Sequence, residues 1–85
     1  MNRLTLPLPG GGIALAPEAS EQDALRRLRQ YEDLHQSLET QLSDTLQKLD
    51  SLRAQDKTKT VTYRQLLGQK MTLRDLLSRM ELYVR

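Results

Sequence analysis

Glu32 and His35 stand three residues apart in the run YEDLHQS, and at that spacing a carboxylate and an imidazole lie on one side of a helix, where they could share a metal ion or a proton. A second candidate is the glycine run Gly10–Gly12, since glycine-rich loops can cradle phosphate. Such a loop needs a strand before it, a helix immediately after it and usually a Lys and a Ser/Thr after its last glycine. Here Ile13, Ala14 and Leu15 follow, so a nucleotide site is excluded. Nucleophilic catalysis finds no support either. The chain has no Cys, its one His sits in a helical stretch, and Ser37, Ser43, Ser51 and Ser78 read as helix-surface residues.

The Glu32-x-x-His35 pair resembles the element from which ferritin-like di-iron bundles build their centres, where two such pairs combine with carboxylates from two further helices. The resemblance implies Glu32 and His35 as metal ligands, and the antiparallel register of the two helices would bring Glu81 near them. Only one such motif is present. The reading adopted is therefore an acidic flank with a histidine at a helical seam, and neither a metal nor any other cofactor is expected.

The elements that would position these residues follow from composition and periodicity. Eighty-five residues without Cys, Trp or Phe supply one small domain with few large side chains for its core. Self-association is expected to make up the deficit. Apolar runs are too short for a membrane-spanning helix, and Pro7, Pro9 and the glycines interrupt any leader-like segment, so the expectation is a cytoplasmic protein without a membrane partner. Charge is unevenly spread. Residues 20–56 carry eight acids against five bases, and residues 57–85 seven bases against two acids.

From Ser20 onward Leu28, Tyr31, Leu34, His35, Leu38, Leu42, Thr45, Leu46, Leu49 and Leu52 occupy an arc of roughly 120° on a helical wheel, which predicts one amphipathic helix over about residues 20–55. Ser20 and Asp23 supply its capping box. Residues 56–61 form a linker. Thr62 and Gln65 then give a second capping box with Val61 and Leu66 as a hydrophobic staple, which predicts a second helix over about residues 62–84. That helix presents Tyr63, Leu66, Leu73, Leu76, Leu77, Met80, Tyr83 and Val84 on one face, with Leu67, Met71 and Leu82 on the outer side.

The fold expected is all-α: an antiparallel, coiled-coil-like two-helix hairpin, completed by dimerisation into a four-helix bundle, with residues 1–19 as an extended or disordered arm. The register predicts Leu38 against Leu76 and Leu77, Leu34 against Met80 and Tyr31 against Tyr83. Gly68 falls opposite Leu46, which offers a packing reason for its missing side chain. The arm's glycines read as a flexible joint, and its leucines are expected to dock over Ala24 or Leu28 of the same or a neighbouring chain.

The function expected is that of a non-enzymatic homodimer or higher homo-oligomer, an assembly or adaptor module open to a protein partner. Its seam comprises Leu38, Leu42, Leu49, Leu73, Leu77 and Met80, and its contact stripe Leu67, Met71 and Leu82. A second reading assigns Lys57, Lys59, Arg64, Lys70 and Arg74 to nucleic-acid phosphates. These bases lie around about half of the helix without interleaved exposed aromatics, and the solvated-face reading is the stronger.

Overall fold

The computed structural model describes residues 2–84. In chain order it contains strands β1 (Thr5–Pro7) and β2 (Ile13–Leu15), then helices α1 (Glu21–Ala54) and α2 (Val61–Tyr83). The contacts divide into two compact units, one up to Asp33 and the other from Leu34 onward, with α1 running through both.

In the first unit the proline- and glycine-rich segment is a β-hairpin. Thr5 pairs with Leu15, Leu6 with Ala14 and Pro7 with Ile13, antiparallel. Pro9 and Gly10 occupy the centre of a turn closed by the Gly11 amide donating to the Leu8 carbonyl at 3.2 Å. Pro9 fixes φ at the first central position and Gly10 takes φ +91° at the second, the sense of a type II turn. Gly11 continues at φ +95°, and the Leu8 amide closes the loop on the Gly12 carbonyl at 2.7 Å. The expected flexible joint is thus an ordered turn, and the all-α expectation needs this small sheet added to it. Pro7 is tolerated because a two-stranded sheet consists of edges only.

The start of α1 follows the sequence reading. The Asp23 amide donates to Ser20 Oγ and the Ser20 amide to Asp23 Oδ2, both at 3.1 Å, so two otherwise orphaned donors are satisfied reciprocally.

In the second unit α1 and α2 pack antiparallel. Helix α1 ends where the Asp56 amide returns to the Arg53 carbonyl (3.0 Å) and the Lys57 amide to the Leu52 carbonyl (2.8 Å), a Schellman pattern. Asp56 takes the left-handed conformation, φ +56°, that this cap demands and that glycine usually fills.

The start of α2 departs from expectation. Thr60, not Thr62, is the N-cap, and its Oγ1 accepts from the Tyr63 amide at 3.2 Å. Val61 becomes the first helical residue and is exposed, so it does not form the predicted staple. Starting two residues earlier lets Tyr63 enter the seam, where its hydroxyl accepts from Arg53 Nε at 2.9 Å.

Helix α2 runs unbroken through Gly68. A Cβ built there meets no atom within 4 Å, so the predicted packing reason for the glycine is wrong. The position is open surface. The core cluster is Leu38, Leu73 and Leu77, with Leu42 and Met80 packed against it. Leu38 thus meets Leu73 and Leu77, whereas Leu76 is 42% exposed and leaves the seam that the predicted register gave it.

Candidate interaction surface

The residues expected to form the seam lie inside. Leu38, Leu49, Leu73 and Leu77 are buried, and Leu42 and Met80 are half-buried. Leu49 alone among the described residues has a large side chain fully removed from solvent. Thr45, one of the two polar interruptions, is buried and returns its hydroxyl to the Gln41 carbonyl of the preceding turn at 2.8 Å. That bond removes the cost of an unpaired hydroxyl but contributes no cross-helix contact.

Two polar clasps flank the apolar seam. Near the connection, Arg53 donates to Tyr63, and its Nη1 also reaches Asp50 Oδ1 at 3.0 Å. The Tyr63 hydrogen bond is the main reason that the Arg53 guanidinium is held above its ordinary pKa. Towards the far end, His35 lies between Glu39 (Nδ1 to Oε1, 3.2 Å) and Glu81 (Nε2 to Oε1, 3.7 Å). The pairs Leu38 with Leu77, His35 with Glu81 and Arg53 with Tyr63 set a register slightly displaced from the one predicted.

Of the candidate metal ligands, His35 and Glu81 approach each other as anticipated, with Glu39 in addition. Glu32 belongs to the first unit. Among the described residues no three His, Asp or Glu side chains converge so as to hold a metal ion.

The attraction between an acidic first helix and a basic second one is barely expressed as direct pairs. Among the described residues His35–Glu81, at 3.7 Å, is the one contact between a basic and an acidic side chain that joins α1 to α2. Asp23–Arg26, Arg29–Asp33, His35–Glu39, Asp50–Arg53 and Asp75–Arg79 are pairs three or four residues apart on one helix. Exposed pairs of that kind contribute little.

On the outer side of α2, Met71 is 72% and Leu82 63% exposed. Leu67, expected beside them, is half-buried at the edge of the seam. The apolar face of α2 is thus turned so that Leu67 gains cover and Leu76 loses it. Leu76 joins the exposed apolar residues on the opposite flank, and Tyr83 and Val84 are exposed at the helix end.

The basic residues do not form a stripe. Lys57, Lys59, Arg64 and Arg74 are exposed, Lys70 is half-buried, and Arg79 is paired with Asp75 at 3.1 Å.

Comparison with known proteins finds no matching family model and no significantly similar curated protein or solved structure. No helix is long and apolar enough to cross a membrane among the described residues.

Proposed function

We propose that the chain is a non-enzymatic, self-associating helical-hairpin protein that acts in the cytoplasm as an assembly or adaptor module. One observation carries this reading. Among the described residues the second unit buries five hydrophobic side chains, Leu38, Leu49, Tyr63, Leu73 and Leu77, while Met71, Leu76 and Leu82 remain exposed along α2.

Two helices enclose a seam from two sides only, and a second hairpin laid on it as a four-helix bundle covers the wet flanks. A homodimer is the simplest closed form, because the same patch on each copy meets itself across a two-fold axis. The nucleic-acid reading gains less support, since Lys70 is half-buried and Arg79 is paired with Asp75.

If folding is completed by association, the thermal midpoint rises with protein concentration and sedimentation equilibrium gives twice the chain mass or more at micromolar concentration. A monomer that unfolds cooperatively at a concentration-independent midpoint overturns the proposal.

A further inference from the structure

Within the first unit a groove of about 500 Å³ lies between the start of the chain and the first turns of α1. Asn2, Arg3, Leu4 and Thr5 form one wall, and Ala24, Arg27, Leu28 and Tyr31 the other. The volume falls within the range of small-molecule sites. No acidic residue lines it, yet it holds two arginines.

Among the described residues each guanidinium makes its hydrogen bond to a backbone carbonyl, and Arg27 also feels the charge of Asp23 one turn earlier. Arg27 Nη1 donates to the Asn2 carbonyl at 2.6 Å, and Arg3 Nε to the Thr5 carbonyl at 3.4 Å. A guanidinium has five N–H donors, so each retains donors in excess of what the protein accepts. Asp23, the nearest acid before Arg27 on α1, also reaches Arg26 at 3.7 Å, and Glu32, the nearest after it, does not line the groove. The same groove is lined by Leu4, Ala24 and Leu28, with Leu28 more than half exposed.

We propose that this groove binds a small amphipathic anion, with its carboxylate or phosphate head on Arg3 and Arg27 and its apolar body along Leu4, Ala24 and Leu28. The chemistry is one of complementarity. A planar guanidinium matches a carboxylate or phosphate with two parallel donors, and the Arg27 contact to Asn2 orients one such donor set in advance. The apolar body then removes from water side chains that the hairpin leaves wet. The groove lies within one copy of the chain, so the proposal does not depend on self-association.

The test uses the full chain with octanoate, octyl phosphate, octan-1-ol and octyltrimethylammonium as probes, followed by amide chemical shifts and isothermal titration. Octanoate, octyl phosphate or both should bind at least tenfold more tightly than the alcohol, with shifts centred on residues 2–5 and 24–31; whichever binds more tightly identifies the head group. The octyltrimethylammonium cation should not bind. Arg27→Gln and Arg3→Gln should each weaken the anion at least tenfold, the scale of one lost hydrogen bond to a charged group. Because Arg27→Gln also frees the Asn2 carbonyl, Arg3→Gln is the decisive variant, its hydrogen bond being a long one to Thr5 two residues on. Equal binding of the alcohol, unchanged anion affinity in Arg3→Gln, or no anion binding at millimolar concentration overturns the proposal.

Discussion

Asp23 shows how one side chain sets an element boundary. Its carboxylate accepts the Ser20 amide while its own amide is accepted by the Ser20 hydroxyl, and the Ser20 bonds, the backbone one foremost, hold its pKa below the usual 3.8. A carboxyl whose folded pKa is depressed contributes stability that is present above its unfolded value and lost as pH falls through the folded one. Acidification below about pH 4 should therefore fray the first turn of α1. NMR titration of the Asp23 carboxyl in the folded chain should give a midpoint below that of the same residue in a short peptide, and Asp23→Asn should remove that acid dependence. Equal midpoints would mean that the capping box does not form. This residue was legible because Ser-x-x-Asp ahead of a periodic stretch has few other uses. Asp56 was not. Aspartate enters the left-handed region more readily than most side chains, but that preference is too weak to mark a cap that glycine usually fills, and the return bonds to Leu52 and Arg53 reveal it.

The elements themselves were readable wherever periodicity was long. Helix α1 begins and ends within a residue of the prediction, since the apolar stripe from Leu28 to Leu52 keeps one helical period and the Ser20–Asp23 capping box marks its start. The β-hairpin was missed although its signal was present. Pro9-Gly10 between the alternation Leu4, Leu6, Leu8 and the run Ile13–Leu15 is a turn dipeptide between two strand-like segments. Reading each proline only as a lost donor hid the turn that proline initiates. The start of α2 failed for another reason: Thr58, Thr60 and Thr62 are all able to cap, and local chemistry does not choose among them. The choice comes from the seam, because a cap at Thr60 admits Tyr63 to Arg53. Thr60→Ala should accordingly cost about 1 kcal/mol in chemical denaturation, and Thr62→Ala only a few tenths. The reverse order would restore the capping box at Thr62 and Gln65.

At the scale of the whole molecule, the sequence indicated that two helices pack antiparallel but not how each is rotated about its axis. An apolar arc wider than the contact leaves several rotations open. The one adopted brings Leu67 and Lys70 towards the seam and leaves Leu76 out, and it places Met71 and Leu82 on the outer surface. That rotation separates the two roles assigned to apolar residues of α2 and makes them independently testable. Met71→Lys puts a charge at a largely exposed position outside the core cluster, so helicity and folding of the single chain should persist while association weakens. Leu77→Ala instead removes a core contact with Leu38 and Leu73, and should cost about 2–5 kcal/mol whatever the state of association. Circular dichroism and sedimentation of the two variants together separate the cases. If Met71→Lys unfolds the chain at concentrations where Leu77→Ala does, Met71 belongs to a core shared between copies. If it changes neither folding nor mass, the outer face of α2 is plain solvent surface, and any association must use the flank marked by Leu76.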